Sequence, residues 1–435
     1  MKFYNYSYIC KKAKNMEEKK EKEKDIPKKK LPKEKALKKT EKKPEISPDD
    51  EKIPLNLRIR SFLKGRQDEI ELMLQKMVNM NSYVRNVEGV NELSNFIKKH
   101  LSVLGFAYQV IPQVEVGNIL FYTNVNQEDY EILLLINLDD STRISSHEYY
   151  HKGETKIFGS GVWEHKGGLV VMLAALQALR FTRSLKKLKI AILLTTDDAL
   201  QGKFAKSIVN KKAQQAKFII GLHGASLNGS LVTSRSGAAV YNCEMNLIKA
   251  QTAQDVAVAS SAFLHMVSAW ADLSEVENGL IVAPSKTLIT SNIAFPFAHG
   301  TVNLSIRFNT NDQIHNFDEK IKRLIPRKYR DLIHFQVNGG IRRPPMPNTS
   351  RIDRMFNIIK RIADKLEISL EKEHRWNSAD ICFVDKNKFI IDGMGPAGTK
   401  PSKRSEYIVR KSILERSELL AMTLHELKKM YFQST

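Results

Sequence analysis

Three short runs of almost wholly apolar residues constrain the fold of this chain more than any other feature. The runs are YEILLLINL (130–138), LKIAILLTTDD (188–198) and AKFIIGLHG (216–224). Runs of this length and composition are typical of strands that helices cover on both faces. The helix-like segments LVVMLAALQALRF and GKFAKSIVNKKAQ lie between them. Strands that alternate with helices predict an α/β domain with a doubly wound, mostly parallel sheet.

Polar side chains follow each of these apolar runs. They are Asn137 and Asp139 after the first run, Asp197 and Asp198 after the second, and His223 after the third. In doubly wound sheets, ligands bind beyond the carboxyl ends of the strands. We therefore expect a ligand site where these side chains meet.

Between residues 238 and 340 the pattern of the sequence changes. Strand-like and helix-like segments follow one another in the order β-α-β-β-α-β, which is typical of a compact ferredoxin-like unit. A chain of 435 residues is also too long for one ordinary core. We predict an α/β domain made of residues 54–237 and 342–435, interrupted by a lid or dimerisation domain at residues 238–341.

Six short motifs occur in the order and spacing of a known enzyme family. In chain order they are NLD (137–139), GSGVWEHKGG (159–168), DDA (197–199), His223, Asn292 together with Arg307, and GPAGTKPSKRSEYIV (395–409). Their arrangement resembles the dinuclear-zinc peptidase and deacylase family that includes carboxypeptidase G, acetylornithine deacetylase, succinyl-diaminopimelate desuccinylase and aminoacylase. The resemblance spans essentially all of residues 54–435 and implies the same fold. It also implies that Asp380 and Glu406 hold loops near the site.

The resemblance implies a site with two zinc ions about 3.5–4 Å apart, bridged by an aspartate. In the family, a glutamate beside the metals takes a proton from the bridging water, and the hydroxide attacks the amide carbon. Here Glu164 stands at the bridging position and is one methylene longer. Asn137 replaces the first histidine, and its amide oxygen is a poorer zinc ligand than imidazole. His223 stands where the family has an acidic ligand.

The other family positions are changed more strongly. Asp198 replaces the general-base glutamate and is one methylene shorter, which pulls it back from the water it should deprotonate. Ala199 replaces a glutamate ligand and cannot coordinate a metal. The late histidine of the family matches Pro401 or Ser402, depending on the gap. One metal site has thus lost two of its three protein ligands. The other keeps Glu164 and His223 as a possible pair of ligands.

An alternative is to shift the match between DDA (197–199) and the family motif by one residue. It would make Asp197 the base and Asp198 a ligand, but a slip of one residue turns both side chains to the opposite face of the strand. We therefore expect the two-metal site to be dismantled. No cofactor is expected, and the alternative is one weakly bound zinc on Glu164 and His223.

Two family positions in the predicted lid are unchanged. The resemblance implies that Asn292 and Arg307 grip the carboxylate of the substrate, and the alternative is a turn asparagine and a solvated strand arginine. The lid histidine that helps to bind substrate across the family dimer falls near Gln251 and is absent. Arg342 and Arg343 add positive charge to the cleft or flank a hinge. The resemblance also implies a homodimer formed through the lid.

The first 53 residues are a low-complexity segment that holds about 18 Lys and about 11 acidic residues. Such a segment cannot bury enough apolar surface to offset its loss of conformational entropy, so we predict that it is disordered. It supplies about +7 of the formal net charge of +21. We interpret it as a linker or solubilising tail. The alternatives are an arm for nucleic acid or acidic membranes and a true start at Met16.

The rest of the composition bears on location. No run approaches the roughly 18 apolar residues of a membrane helix. Cys10, Cys243 and Cys382 are isolated from one another and match no metal spacing, which suits a reducing compartment. We expect a cytoplasmic protein that does not interact with membranes.

Three classes of function remain. The preferred hypothesis is a degenerate family member, not an active enzyme, that binds a carboxylate-bearing peptide or amino-acid derivative. The second is an active metal-dependent amide hydrolase with a mononuclear site on Glu164 and His223 and with Asp198 as the base. The third is a nucleic-acid-associated protein that acts through its basic tail. It ranks last because aromatic residues do not interleave with the basic ones.

Overall fold

The computed structural model describes residues 53–126, 129–249, 251–401 and 405–430. The predictions for the N-terminal tail up to residue 52 and for Ser402 lie outside these ranges. Within them, the helices all fall short of the length and apolar character needed to cross a membrane.

Helices and strands are numbered in chain order. The helices are α1 (Leu55–Gly65), α2 (Gln67–Asn79), α3 (Val87–Val103), α4 (Gly167–Phe181), α5 (Lys206–Gln215), α6 (Ala253–Ala271), α7 (Asn311–Arg323), α8 (Ser350–Lys365) and α9 (Ser412–Lys429). The strands are β1 (Ala107–Ile111), β2 (Ile119–Thr123), β3 (Ile132–Asn137), β4 (His151–Lys152), β5 (Lys156–Phe158), β6 (Ile190–Thr195), β7 (Phe218–Gly221), β8 (Leu231–Arg235), β9 (Gly237–Leu247), β10 (Ile281–Asn292), β11 (Phe297–Phe308), β12 (Ile333–Arg343), β13 (Lys372–Arg375), β14 (Phe389–Ile391), β15 (Gly398–Thr399) and β16 (Tyr407–Val409).

A six-stranded sheet carries the cleft, with the strand order β1-β2-β6-β3-β7-β14. Strands β6, β3, β7 and β14 are parallel, while β2 runs antiparallel to β6 and β1 antiparallel to β2. The three apolar runs in the sequence form β3, β6 and β7. The predicted mostly parallel sheet is confirmed, and the antiparallel edge of β1 and β2 adds to it.

Helices cover both faces of this sheet. Successive residues of a strand point to opposite faces, and in β3 they belong to two different cores. Leu134 packs with residues of α1 to α4, α8 and α9, whereas Leu135 packs with residues of α5. Burial on both faces explains why β3 is apolar at nearly every position.

The inserted unit is a four-stranded antiparallel sheet with the order β10-β11-β9-β12. Its elements follow the chain as β9, α6, β10, β11, α7 and β12, which is the predicted β-α-β-β-α-β order. Its own core includes Phe263 and Trp270 of α6, Ile306 of β11 and Phe317 of α7. The sheet extends from Gly237 to Arg343. The division of the chain into domains at residues 237/238 and 341/342 stays a prediction.

Candidate functional site

The carboxyl ends of β3, β6 and β7 meet at a cavity of about 260 Å³. Its lining residues are Asn137, Asp139, Ser141, Trp163, Glu164, Asp198, Ala199, Gln201, His223, Gly224, Arg235, Arg307, Arg343, Arg375, Asn377, Ser378 and Ala379. Most of the predicted site residues in the described part of the chain line this cleft, and the exceptions are Asp197, Asn292 and Arg342. The sheet topology explains this result, because the ends of parallel strands lie along one edge.

The loop that contains Glu164 is held by Glu406. The chain enters the loop through Gly161, at a φ of +73°, and then forms a turn of π-helix over Val162–Lys166. Glu406 Oε1 accepts hydrogen bonds from the N–H groups of Trp163 (2.6 Å) and Glu164 (2.8 Å), and Oε2 accepts one from Gly161 (3.0 Å). Burial, together with the charge of Glu164, raises the pKa of Glu406 to about 7. The predicted role of Glu406 in holding a loop is confirmed.

The segment after Glu164 serves packing. A Cβ atom on Gly168 would lie 1.9 Å from the backbone oxygen of Leu222, so only glycine allows α4 to approach the end of β7 this closely. The side chain of Lys166 is buried, and its Nζ donates to the backbone oxygens of Met80 (2.9 Å) and Ser160 (3.0 Å). Lys166 and the glycine therefore join the loop to the fold and do not face the cleft.

Glu164 is paired with Lys400. The ammonium Nζ of Lys400 lies 2.6 Å from Glu164 Oε2 and 3.8 Å from Glu406 Oε2. Burial lowers the pKa of Lys400, but the charges of Glu164 and Glu406 outweigh it and raise that pKa to about 12. A side-chain cation therefore sits against the carboxylate that matches the metal bridge of the family.

Asp198 is paired with Arg343. Arg343 Nη2 lies 2.8 Å from Asp198 Oδ1 and 2.5 Å from Asp380 Oδ1. Burial opposes the charge of Arg343, yet the two aspartates raise its pKa above the usual value. Arg343 thus lines the cleft and Arg342 does not, and two carboxylates balance the charge of Arg343.

The side chains of Asp139 and Asn137 form hydrogen bonds with nearby backbone groups and with each other. The carboxylate of Asp139 accepts hydrogen bonds from the N–H groups of Asp198 (3.0 Å) and Ala199 (2.9 Å). Burial, reinforced by the charge of Asp198, raises the pKa of Asp139 to about 8. Asn137 Nδ2 donates to the backbone oxygen of Asp139 (2.8 Å), and its buried Oδ1 has no partner among the described residues.

His223 is oriented by a buried carboxylate. Its Nδ1 lies 3.1 Å from Asp392 Oδ2, and Arg235 Nη2 lies 2.6 Å from the same oxygen. A carboxylate only accepts hydrogen bonds, so Nδ1 carries a proton, and Nε2 has no hydrogen-bond partner among the described residues. Burial raises the pKa of Asp392, but His223 and Arg235 more than reverse that effect and hold it well below the usual value.

Arg307 differs from the other arginines of the cleft. Its guanidinium is half-buried, and its one hydrogen bond among the described residues, at 3.4 Å, goes to the backbone oxygen of Ile306. No carboxylate of the described residues lies within 4.0 Å of it, whereas Arg235, Arg343 and Arg375 are all paired with acids. Burial and the nearby charge of Arg343 lower the pKa of Arg307.

Asn292 lies away from the cleft. It ends β10 at the tip of the β10–β11 hairpin, where its Oδ1 accepts a hydrogen bond from Phe295 N–H (3.0 Å). Arg307 pairs with Ile281 at the other end of the same ladder. At about 3.3 Å per residue, the two positions are roughly 35 Å apart. The expectation that Asn292 and Arg307 grip one carboxylate is therefore wrong within a single chain, because the hairpin holds them at opposite ends.

Several residues of the cleft were missed in the sequence. Arg375 lies 5.3 Å above the ring of Trp163 and pairs with Glu373, and Arg235 reaches Asp392 across 157 residues of chain. Neither arginine belongs to a family motif. The sequence around an arginine does not indicate which acidic residue it pairs with in the folded chain. The signal for Lys400 was present, since this lysine directly precedes the position of the lost histidine.

The donor atoms do not fit the two zinc ions that the resemblance implied. Ala199 has no donor atom, Glu164 and Asp198 are each paired with a side-chain cation, and Asp139 accepts two backbone N–H groups. Across the residues that the structure describes, no group of three or more His, Cys, Asp or Glu side chains could hold a metal ion. The described residues therefore do not supply the donor atoms that two zinc ions would need.

Comparison with known proteins places the chain in a family. The sequence model of peptidase family M20/M25/M40 matches residues 139–426. The chain belongs to this family. No curated protein matches it by sequence, so the M20 relationship rests on the family model and the fold.

Solved structures share the M20 fold at low sequence identity. An aminopeptidase PepT from Bacillus cereus is 14% identical with a TM-score of 0.68, over 83% of this chain and 98% of that one. A tripeptidase from Staphylococcus aureus is 14% identical with a TM-score of 0.69, over 83% of this chain and 99% of that one. A dinuclear metal-binding M20 peptidase from Bacillus subtilis is 11% identical with a TM-score of 0.61, over 84% and 99%. At these identities the likeness shows the fold alone.

Proposed function

We propose that this M20-family chain binds a carboxylate-bearing peptide or amino-acid derivative and does not hydrolyse it. The observation that carries the proposal is the guanidinium of Arg307, which lines the cleft without a carboxylate within 4.0 Å among the described residues. A planar guanidinium matches a carboxylate through two parallel hydrogen bonds. The replacement of metal ligands by Asn137 and Ala199 supports the loss of hydrolysis.

The balance of charge around the cleft favours an anionic ligand. Arg235, Arg343 and Arg375 have their charges neutralised by neighbouring acids. Arg307 is then the guanidinium left to attract a ligand, and the partial burial of its side chain strengthens that attraction. The cavity of about 260 Å³ suits a ligand about the size of an amino-acid derivative.

An active hydrolase with one metal ion is the second candidate. His223 Nε2 has no partner among the described residues, and Glu164 keeps one oxygen that is not bonded to Lys400, so the two could supply two ligands. Asp198 would then have to act as the base while it is paired with Arg343. The pairing of Asp198 with Arg343 would have to break, and for this reason we prefer the binding protein.

Metal content separates the two candidates. We expect well below one transition metal ion per chain, by mass spectrometry of protein purified without chelators or affinity-tag histidines. About one ion per chain, lost in Glu164→Ala or His223→Ala, would support the hydrolase instead. An assay on N-acylated amino acids and dipeptides would then follow.

The ligand is tested through Arg307. Calorimetry with a panel of dipeptides and N-acylated amino acids should detect binding that is absent for the methyl esters of the same compounds. A hydrogen bond to a charged group contributes about 1.5–3 kcal/mol, so Arg307→Ala should weaken binding by roughly 10- to 150-fold. The control is Arg323→Ala in the lid, whose side chain is 78% exposed. Equal binding of acids and esters, or an unchanged affinity in Arg307→Ala, would contradict the proposal.

We also propose a homodimer formed through the lid and a cytoplasmic location. Contact of Asn292 with a ligand in the cleft would require a second copy of the chain, since Asn292 cannot reach the cleft of its own chain. The location is supported by Cys243 and Cys382, which are free and buried.

A further inference from the structure

Two side-chain cations face the two acids that stand at family positions for the metal bridge and the base. Lys400 Nζ is 2.6 Å from Glu164 Oε2, and Arg343 Nη2 is 2.8 Å from Asp198 Oδ1. Each cation also touches a second acid, because Glu406 lies 3.8 Å from Lys400 and Asp380 lies 2.5 Å from Arg343. In the family, metal ions supply the positive charge to this cluster of carboxylates.

Lys400 has the stronger claim to replace a metal. It directly follows β15 and immediately precedes the two residues that match the late histidine ligand of the family. Its contact with Glu164 joins segments 236 residues apart in the chain. A metal held by a bridging acid and a late histidine would connect the same two segments. The ammonium thus supplies a positive charge, although one unit smaller, and the same crosslink between the two segments.

The same contact works against any divalent cation. An ion that binds Glu164 must displace the ammonium or accept a like charge a few ångströms away. The ammonium is tethered to its site by the chain, so it competes at a high effective concentration. Glu406 offers no free alternative, because its two oxygens accept three backbone N–H groups.

We propose that Lys400 is a built-in replacement for a metal ion, which neutralises Glu164, joins the Glu164 loop to the segment after β15, and excludes divalent cations from this part of the cleft. The proposal goes beyond ligand binding at Arg307. Either can fail alone, because one is tested with metal ions and the other with organic acids.

The test is the affinity for Mn²⁺, which prefers carboxylate oxygens, measured by electron paramagnetic resonance of the free ion. The wild-type full-length chain should bind no Mn²⁺ at a concentration of 100 µM ion (roughly the range of weak protein sites). Lys400→Ala should bind about one ion per chain at least tenfold more tightly. Lys400→Arg should exclude Mn²⁺ as the wild type does. Lys400→Ala combined with Glu164→Ala should lose the gained site.

Two results would overturn the proposal. One is wild-type binding of Mn²⁺ that equals that of Lys400→Ala and depends on Glu164. The other is a folded Lys400→Ala variant that gains no affinity. If Lys400→Ala does not fold, the melting temperature of the wild type decides. Saturating Mn²⁺ or Zn²⁺ should leave that temperature unchanged, and a rise that vanishes in Glu164→Ala would refute the exclusion of metal.

Discussion

At the scale of the residue, the acids at the strand ends hold the backbone turns that follow the strands. Asp197 is a good example, because it is wholly buried at the end of β6. One of its oxygens accepts hydrogen bonds from Phe204 N–H (2.6 Å) and Ala205 N–H (3.3 Å), while Oδ1 has no partner among the described residues. Asp197 thus fixes the turn that leads into α5 and faces away from any role as a base.

The pH dependence of stability should reveal Asp197. Burial, with a contribution from Asp380, raises its pKa from 3.8 to about 6. The folded state therefore favours the protonated form, and this stability is present below pH 4 and lost as the pH rises through 6. Asp197→Asn has no proton to lose, so relative to the wild type it should gain about 1–3 kcal/mol between pH 4 and pH 7.5. Urea unfolding at both pH values measures this gain, and a difference that does not change with pH would contradict the assignment.

The sequence revealed those site residues whose positions depend on local sequence, and not those whose positions depend on distant contacts. Asn137, Glu164, Asp198 and His223 were found because they follow strands or occupy motifs, and such positions are fixed by the local sequence. Arg235 could not be found, since its position depends on a salt bridge to an acid 157 residues away. Long-range ion pairs leave no periodic trace in the sequence.

At the scale of the element, the Glu164 loop depends on a single acid from the end of the chain. Glu406 directly precedes β16 and is 5% exposed. It supplies the acceptors for three N–H donors of the loop, those of Gly161, Trp163 and Glu164. The loop itself is too short and too irregular to satisfy them, so its shape is set from outside.

Removal of this acceptor should destabilise the fold. Glu406→Ala leaves three N–H groups without partners, at about 1–3 kcal/mol each when buried. We expect a loss of about 3–5 kcal/mol in the free energy of unfolding. Glu406→Gln keeps one acceptor oxygen, so it should lose roughly half as much. Both are compared with Glu319→Ala on the surface of α7, and equal losses in the Ala and Gln variants would argue against the hydrogen bonds.

The elements themselves were predictable where burial was uniform. The strands β3, β6 and β7 are buried at every position and stood out as apolar runs. The strand β1 is mostly exposed, and β4 and β15 have two residues each, so neither pattern nor length marked them. Short strands are stabilised by pairing with neighbouring strands, and the local sequence does not indicate which strands those neighbours are.

At the scale of the whole molecule, the β10–β11 hairpin is the most conspicuous surface. Leu288, Ile293, Phe295 and Phe297 on this hairpin are 53%, 66%, 80% and 48% exposed. The strand β10 is also an edge of the lid sheet, which leaves its outer hydrogen-bonding groups open to another strand. Exposed apolar side chains beside an open edge are typical of an interface between proteins.

The proposed homodimer can be tested on this hairpin. Light scattering should give twice the chain mass of 49.7 kDa. Ile293→Asp combined with Phe295→Asp should yield monomers, because charges placed in an apolar contact are not solvated. Val114→Asp, at a loop position that is 97% exposed, serves as the control and should leave the mass unchanged. A monomeric wild type would contradict the dimer.

The salt bridges of Lys400 and Arg343 affect how a population of these molecules behaves. A metal-dependent relative exists as loaded and empty copies, in proportions set by the zinc that the cell can spare. Here both cations are side chains, so every folded copy contains the positive charges of its cleft. If Lys400 replaces a metal as proposed, the number of molecules able to bind ligand would follow synthesis and degradation alone, and zinc starvation would not lower it.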